Sequence, residues 1–287
     1  MVINADSQQL FEDLPILTAR PTPADEARAP HRLYGVLMAD EQPSVGRWLE
    51  LVRPVLAACR AEGRPAIVTG GTGLYLGALL RGMPAMPEIP EDLRRELRAW
   101  AAGLPAEAIH ARLAERDPTM ACRLRASDRQ RLLRALEVVE ATGRSLAEWQ
   151  ALPRQPLDLP PRRVGVALVP PAGVVNPRIE ARLDAMLAAG ALDEVQDLLE
   201  RWPDAVRLPI AKVHGLRELA AFMRGTLGRE EAQASVATQI RQYAKRQRTW
   251  FRHQLPELQP IEARGEDAVA EEAVLDLLRA EAGRPTS

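Results

Sequence analysis

Two segments of the chain share one design, in which a short apolar strand ends in a polar loop. The first is residues 2–9 (V-I-N-A-D-S-Q-Q). The second, residues 65–76 (P-A-I-V-T-G-G-T-G-L-Y-L), is predicted to run from a short buried strand through a glycine turn into a helix. Open α/β sheets bind ligands outside the carboxyl ends of their strands. We therefore expect Asp6 and Thr72 to be neighbours in a catalytic site.

Composition narrows the class of protein. The 287 residues are 46% hydrophobic and 27% charged, which is typical of a globular protein. A formal net charge of -1 argues against a protein that coats nucleic acid with its whole surface, but it allows a local basic face. The sequence contains no run of 18 apolar residues and no basic segment followed by an apolar one, so we predict a cytoplasmic protein with no membrane partner. The two cysteines, Cys59 and Cys122, lack metal-type spacing and are expected to be free thiols.

The order of elements predicts an α/β fold. Short apolar strands are expected at residues 2–4, 66–68 and 164–169, with helical stretches between them, which is typical of a mainly parallel sheet with crossover helices. Asn176 and Pro177 are expected to begin a helix, as N-cap and first helical residue. A long helix is predicted over about residues 230–253.

A different pattern occupies residues 84–154, where charged amphipathic helices are predicted and no strand is. We therefore expect an α/β core domain formed by residues 1–83 and 155–287, with C-terminal helices. A helical insertion domain of residues 84–154 interrupts it.

Asp6 is the first candidate catalytic residue. An isolated aspartate after a strand more often caps a helix or ends the strand. Here Ser7, Gln8 and Gln9 add donors and acceptors beside a carboxylate that could act as a general base. Thr72 is the second candidate, because its hydroxyl is expected at a helix N-terminus, where backbone N–H groups favour a phosphate.

Arginines supply candidate anion sites. Arg178 and Arg182 share one helix face, and such pairs are usually solvated. Just beyond a strand end, however, a guanidinium could clamp a phosphate oxygen with two parallel hydrogen bonds. On the last long helix no acid interrupts residues 241–253, and a basic stripe without counter-charges is the footprint expected for a nucleic-acid backbone. The stripe consists of Arg241, Lys245, Arg248 and Arg252.

Other residues give less specific signals of function. In residues 128–138 (D-R-Q-R-L-L-R-A-L-E-V) the leucines form a buried face and Arg129, Arg131 and Arg134 are expected to point outward, which is typical of a solvated helix. His31 and His214 are interpreted as local hydrogen-bonding residues without a catalytic role, and no metal ligand is predicted. A phosphate-binding loop of the form G-x-x-x-x-G-K-[ST] is absent from the sequence.

Seven segments, in order, resemble the tRNA dimethylallyltransferase (tRNA isopentenyltransferase) family. They are D-S-Q-Q at Asp6, T-A-R-P-T at Thr18, A-P-H-R-L at Ala29, G-G-T-G-L-Y at Gly70, D-R-Q-R-L-L-R-A-L-E-V at Asp128, R-I-E-A-R at Arg178 and Y-A-K-R-Q-R-T-W-F at Tyr243. The resemblance implies transfer of a dimethylallyl group from dimethylallyl diphosphate to N6 of adenosine 37, in tRNAs reading codons that begin with U. It also implies a P-loop NTPase-like, ATP-binding type of core with a helical insertion that clamps the tRNA. Mg²⁺ on the diphosphate and a monomer that binds the tRNA anticodon stem-loop are expected as well.

The same resemblance assigns roles to residues. Asp6 resembles the general base that accepts the N6 proton, Thr72 the residue that holds the diphosphate or the target nucleotide, and Arg182 the arginine that grips the diphosphate. The residues expected to contact tRNA are Asp6, Ser7, Gln8, Gln9, Thr72, Arg94, Gln130, Arg131, Leu132, Leu133, Arg134, Lys212, Arg217, Arg241, Lys245 and Arg248.

One departure from the family concerns the start of the chain. Members begin with a strand and a loop of the type G-P-T-[AG]-S-G-K-[ST], and this sequence starts after that point. We therefore expect Met1 to be an alternative or misplaced start, with about 30 further residues upstream, enough for one strand, loop and helix. Two alternatives remain open: a catalytically inactive RNA-binding paralogue that keeps the clamp, and a small-molecule enzyme such as a small-nucleotide isopentenyltransferase or a nucleotide kinase. The basic stripe and the insertion disfavour the second alternative, because a small nucleotide needs neither.

Overall fold

A computed structural model describes residues 1–263 and 268–283. The chain divides into two compact units, one formed by Met1–Leu80 with Asp158–Ser287 and the other by Arg81–Leu157. No helix in the described ranges is long and apolar enough to cross a bilayer.

The strands and the α-helices are numbered separately, each in chain order. The strands are β1 (Val2–Asn4), β2 (His31–Arg32), β3 (Ile67–Thr69), β4 (Met83–Pro84), β5 (Arg154–Gln155), β6 (Val166–Val169) and β7 (Gln259–Glu262). The α-helices are α1 (Pro23–Arg28), α2 (Val45–Ala61), α3 (Gly73–Arg81), α4 (Glu91–Ala101), α5 (Ala106–Arg116), α6 (Pro118–Arg123), α7 (Arg129–Thr142), α8 (Leu146–Gln150), α9 (Ala172–Ala188), α10 (Ala191–Arg201), α11 (Leu216–Met223), α12 (Arg229–Gln254) and α13 (Ala268–Ala282). Two 3₁₀ helices, Ala205–Arg207 and Pro209–Lys212, precede α11.

The first unit contains a parallel sheet with strand order β2-β1-β3. Ile3 lies opposite Arg32 on one side and Val68 on the other. The α/β class with a parallel sheet is therefore confirmed. The strand predicted at residues 66–68 is present as β3, but the prediction that it is buried was wrong, because β3 is an edge strand of this sheet and Ile67 is 58% exposed.

Two further predictions about this unit were wrong. The strand near residue 164 was assigned to the main sheet, but β6 pairs in parallel with β7 in a separate two-stranded sheet, and β7 was not predicted. The helix expected to begin at Asn176 and Pro177 begins at Ala172, so Pro177 lies inside α9. The long basic helix was predicted within one residue at each end, since α12 spans Arg229–Gln254.

The end of β1 is fixed by buried polar contacts. Asn4 is fully buried, its side-chain nitrogen donates to the Leu33 carbonyl at 2.9 Å, and its side-chain oxygen accepts the Asp6 N–H at 2.7 Å. Trp48, on the buried face of α2, donates to the Asn4 carbonyl at 2.8 Å and stacks on Tyr75 of α3. Because a buried polar group without a partner is costly, these bonds hold the loop after β1 in one position.

The second unit is helical, and its core is built by α4 to α8. β4 and β5 form an antiparallel pair in which Met83 lies opposite Gln155. Asp117 is buried, caps α6 by accepting the Met120 N–H, and accepts the Ser145 hydroxyl at 2.8 Å. These bonds join the start of α6 to the start of α8. The core side chains include Leu97, Ile109, Leu113, Leu132 and Leu136.

Candidate active site

The structure brings the two candidate loops together at the carboxyl ends of β1 and β3. The Thr72 N–H donates to the Ala5 carbonyl at 3.1 Å, and the Ser7 N–H donates to the Thr72 hydroxyl oxygen at 2.9 Å. The Thr72 and Ser7 hydroxyl oxygens lie 3.3 Å apart. Asp6 and Thr72 are therefore held by one hydrogen-bonded junction.

Two glycines permit this close approach. A Cβ atom on Gly70 would lie 2.2 Å from the Ala5 carbonyl carbon, and one on Gly71 would lie 2.0 Å from Nε2 of Gln247. Gln247, on α12, donates to the Gly71 carbonyl at 2.7 Å. The glycine turn therefore packs directly on β1 and α12, where no larger residue would fit without displacement.

Asp6 lies on the wall of a cavity of about 610 Å³, called here the Asp6 cavity. Gln8, His214 and Tyr243 also line it, as do Arg178 and Arg182 of α9. The rest of its wall is mainly apolar, so the cavity offers one polar region and one hydrophobic surface. The apolar side chains include Leu17, Val175, Ile179, Leu183, Val236 and Ile240.

The electrostatics of Asp6 suit a proton acceptor. Burial raises the pKa of its carboxyl, and this effect exceeds the opposing influence of the Gln8 and Gln9 backbone N–H groups and of the charges on His214 and Arg182. One of those bonds, from the Gln8 N–H to Asp6 Oδ1, measures 2.9 Å. A carboxylate with a raised pKa takes up a proton more readily than an exposed aspartate.

Sequence reasoning missed two residues of this site. His214 and Tyr243 stack in a tilted contact with ring centroids 4.8 Å apart. Burial lowers the pKa of His214 and raises that of Tyr243. The spacing of Ile240, Tyr243 and Gln247 on one face of α12 was a usable signal for Tyr243. No sequence pattern indicated His214.

The polar side chains beside Asp6 also hold the surrounding backbone. Oε1 of Gln8 accepts the His214 backbone N–H at 3.0 Å. Nε2 of Gln9 donates to the Thr18 and Ala19 carbonyls at 3.1 and 2.9 Å. These amides fix the shape of the site, in addition to the substrate contacts predicted for them.

The basic stripe of α12 lines a second cavity, of about 970 Å³, called here the β3–β6 cavity. All four stripe residues face it, together with Gly70, Gly71 and β6. The prediction that the stripe has no counter-charge was wrong for Arg241, because α9 supplies Glu180 at 3.2 Å. Lys212 ends a 3₁₀ helix, and Arg217 is exposed at the start of α11.

The remaining predicted tRNA contacts lie in the second unit. Those on α7 differ in how far their side chains are exposed. Gln130 and Arg131 are exposed, whereas Leu132 is fully buried in the core and Leu133 packs against that core. We therefore correct the prediction for Leu132, because its side chain is inaccessible to a ligand.

Three arginines of the second unit have clear partners. Arg129 was predicted to point outward, but it turns inward and donates to the Leu104 carbonyl at 2.6 Å and to Ala101. Arg94 and Arg134 both lie near the buried carboxylate of Glu137.

A metal site built by protein side chains alone is absent from residues 1–263 and 268–283, which contain no cluster of three or more His, Cys, Asp or Glu. Among the described residues that line the Asp6 cavity, Asp6 is the only acid. This donor set fits Mg²⁺ bound mainly by phosphate oxygens and water, the usual arrangement for that ion.

Comparison with known proteins decides the family. The model of the IPP transferase family matches residues 9–254. The chain belongs to this family. It is 50% identical over 260 residues to the tRNA dimethylallyltransferase of Rhodopseudomonas palustris strain BisB18, covering 90% of this chain and 82% of that relative. It is 51% identical over 258 residues to the tRNA dimethylallyltransferase of Nitrobacter hamburgensis, covering 90% and 81%.

Solved structures share the fold. The full-length tRNA isopentenylpyrophosphate transferase of Bacillus halodurans superimposes with a TM-score of 0.64 at 27% identity, covering 98% of this chain and 89% of that one. A eukaryotic dimethylallyltransferase acting on tRNA gives a TM-score of 0.75 at 23% identity, covering 100% and 74%. The second likeness concerns the fold alone.

Proposed function

We propose that this protein is a tRNA dimethylallyltransferase. It transfers a dimethylallyl group from dimethylallyl diphosphate to N6 of adenosine 37, in tRNAs that read codons beginning with U. Relatives at about 50% identity carry the enzyme's name. The structural observation that carries the proposal is Asp6, a half-buried carboxylate with a raised pKa on the wall of a largely apolar cavity lined also by Arg182.

The reaction requires a base and a stabilised leaving group. An exocyclic amine is a poor nucleophile, so the C–O bond to the diphosphate must break as the new bond from N6 to carbon forms. The diphosphate leaves with the electron pair, and the N6 proton passes to the Asp6 carboxylate. A base in hydrogen-bond reach of that proton contributes roughly 10²–10⁴-fold to such a step.

Different side chains of the cavity wall would perform the remaining tasks. Arg178 and Arg182 would take up the charge that develops on the diphosphate, and the fork of a guanidinium suits phosphate oxygens. Mg²⁺, when bound, would neutralise further diphosphate charge. The apolar side chains from α9 and α12 match a dimethylallyl group and keep water away from its reactive carbon.

The RNA partner we propose is the tRNA anticodon stem-loop. The target base must leave its stack to reach Asp6, which costs about a few kcal/mol and has to be offset by other contacts. Basic residues of α12 and the exposed part of α7 are the proposed contacts to the phosphate backbone. We propose that the protein acts as a monomer in the cytoplasm.

The direct test uses an unmodified anticodon stem-loop containing A36-A37-A38. The protein is incubated with this RNA, dimethylallyl diphosphate and Mg²⁺, and the RNA is weighed by mass spectrometry. A mass gain of one dimethylallyl group at adenosine 37, lost in Asp6→Asn, is the expected result. Salt-dependent RNA binding without any mass gain would contradict the proposal and favour an RNA-binding role.

A further inference from the structure

Residues 14–19 form a turn, called here the 14–19 turn, that supplies Leu17 and Thr18 to the wall of the Asp6 cavity. The backbone N–H and the hydroxyl of Thr18 both donate to the Leu14 carbonyl, at 3.0 and 2.8 Å. Leu17 is 7% exposed, and a Cβ atom on Gly215 would lie 3.4 Å from its Cδ1. The Leu17 side chain is therefore packed between the turn and the start of α11.

The turn has a backbone conformation that its own residues do not favour. Leu14 has a φ of 62° and Ala19 a φ of 51°. These values lie in the left-handed region, which residues with a Cβ atom rarely adopt. Such a conformation persists where surrounding contacts hold it, and it is found often at ligand sites. The shape of this part of the cavity wall thus depends on contacts made to the turn from other segments.

A single carboxylate of α10 holds the N–H groups of the turn. Oε1 of Glu194 accepts the Ile16 N–H at 2.7 Å, and Oε2 accepts the Leu17 N–H at 3.0 Å. At the other end of the turn, Gln9 donates to two carbonyl oxygens. Backbone N–H groups removed from water need a partner, and an isolated turn has none for these two. Glu194 therefore ties the turn to α10, through residues 178 and 177 positions away in the chain.

The charge of Glu194 does not itself stabilise the fold. Burial raises the pKa of its carboxyl, and this effect exceeds the opposing influence of the two N–H groups and of Arg20. A partly buried carboxylate with a raised pKa weakens the folded state when it is charged, and acids of this kind are enriched at functional sites. The geometry of its two hydrogen bonds is what Glu194 contributes.

We propose that Glu194 is a positioning residue, which fixes Leu17 in the wall of the Asp6 cavity and so limits the length of the prenyl group that the cavity accepts. Leu17 is part of the apolar surface that matches the dimethylallyl group, and its own N–H is one of the two that Glu194 holds. A turn released from α10 would lengthen this apolar surface and admit a longer group. The inference rests on the proposed function and adds selection among prenyl diphosphates to it.

The first test compares two prenyl donors. The protein is incubated with the adenosine 37 stem-loop, Mg²⁺ and either dimethylallyl diphosphate or geranyl diphosphate, whose chain is one isoprene unit longer, and kcat/KM is measured for each. The side chain in Glu194→Gln has one acceptor oxygen and can keep only one of the two N–H bonds. We expect the kcat/KM ratio in favour of dimethylallyl diphosphate to fall about tenfold. Glu194→Asp retains a carboxylate and should recover part of the ratio.

Two further variants assign the effect. Asp197 is exposed on the same helix, so Asp197→Asn removes an equal charge from α10 and should leave the donor ratio at the wild-type value. Leu17→Ala shortens the wall directly and should lower the ratio while Glu194 is intact. If Glu194 acts through Leu17, the two changes do not add, and Glu194→Gln should have little further effect in a Leu17→Ala protein.

Hydrogen exchange reports on the turn independently of catalysis. In Glu194→Gln the peptide that covers residues 12–20 should exchange faster, because the Ile16 and Leu17 amides lose a shared acceptor. Peptides from α12 should exchange at the wild-type rate. This pattern distinguishes release of the turn from a general loss of stability, which would speed exchange throughout the unit.

The outcomes distinguish this inference from the proposed function. An unchanged donor ratio in Glu194→Gln overturns the inference, as does an equal fall in Asp197→Asn or unchanged exchange in the 14–19 turn. If the wild-type protein transfers neither prenyl group, the proposed function fails, but the Kd values of the two diphosphates in the presence of the stem-loop still measure the length preference. A preference for dimethylallyl diphosphate that falls in Glu194→Gln would then support the positioning role without transfer.

Discussion

Each unit contains a carboxylate that is at least partly buried, and these two carboxylates, Glu137 and Asp6, have opposite surroundings. Glu137 in α7 is 5% exposed and lies 3.5 Å from Arg134 and 3.8 Å from both Arg94 and Arg98. Asp6 has no ion-pair partner within 4.0 Å among the described residues, and its carboxylate accepts hydrogen bonds from backbone N–H groups. One carboxylate is neutralised by three guanidinium groups, whereas the other is half-buried without a paired cation.

This difference shows what distinguishes a structural acid from a reactive one. A buried acid surrounded by cations stabilises its unit, and removing it would leave several charges without a partner. A buried acid without a paired cation destabilises the fold in its charged form, and for that reason it takes up a proton readily. Replacing each acid by its amide tests the comparison, because the shape is nearly retained while the charge is lost.

The largest effect is expected for Asp6→Asn on transfer. The amide oxygen can still accept the Gln8 N–H, but it cannot take the N6 proton, so the single-turnover rate should fall by roughly 10²–10⁴-fold. Rapid quenching with saturating RNA and dimethylallyl diphosphate measures this rate. A loss smaller than about tenfold would remove Asp6 from the role of base.

Glu137→Gln should mainly affect stability. Loss of the shared carboxylate leaves Arg94, Arg98 and Arg134 repelling one another, and because these arginines are partly exposed we expect a cost of about 2 kcal/mol. Urea unfolding measures the cost. The single-turnover rate at saturating RNA should match that of the wild-type protein, and a rate loss comparable to that of Asp6→Asn would erase the distinction between the two acids.

The dependence of stability on pH should have a defined sign for Asp6. Its pKa is raised in the folded state, so its contribution to stability is fully present below the ordinary value of 3.8 and is lost as the pH rises through the folded pKa. Asp6→Asn should therefore be more stable than the wild-type protein at neutral pH, and the difference should disappear below pH 3.8. Melting temperatures across this range provide the measurement. A less stable variant at neutral pH would show that the charge of Asp6 is compensated.

The smallest expected effect is on the salt dependence of RNA binding, after substitution of a residue in the basic stripe. Within the described part of the chain Arg248 forms no ion pair, whereas Arg241 is paired with Glu180. Arg248→Ala should reduce the slope of log Kd for RNA against log salt by about 0.7–0.9, and Arg241→Ala should reduce it less. Equal changes in slope would mean that Glu180 releases Arg241 when RNA binds.

Local patterns predicted the parts of the fold that depend on neighbouring residues. Strand β1 coincides with its prediction, and α12 agrees within one residue at each end, because apolar spacing is a property of the segment itself. The pairing of β6 with β7 was missed because it joins strands about 90 residues apart, where no local pattern reports it. Asn176 and Pro177 are good starting residues for a helix, but α9 begins earlier.

The residues of the candidate site also divide into those that a sequence pattern identifies and those that depend on contacts from distant parts of the chain. Asp6 and Thr72 follow the ends of β1 and β3, so sequence alone could name them, whereas the role of Arg182 came from the family resemblance. The surroundings of His214 come from Gln8 and Tyr243, which approach it from other parts of the chain. Leu132 was assigned a surface role by resemblance, although the apolar pattern of α7 already placed it inside.

Helix α12 forms part of the wall of both cavities: Val236, Ile240 and Tyr243 face the Asp6 cavity, and the basic stripe faces the β3–β6 cavity. A displacement of this helix would therefore change both binding surfaces at once. If a ligand in one cavity shifts α12, thermodynamic linkage requires that the affinity of each site change by the same factor when the other is filled. A single helix is thus sufficient to make the two cavities cooperative.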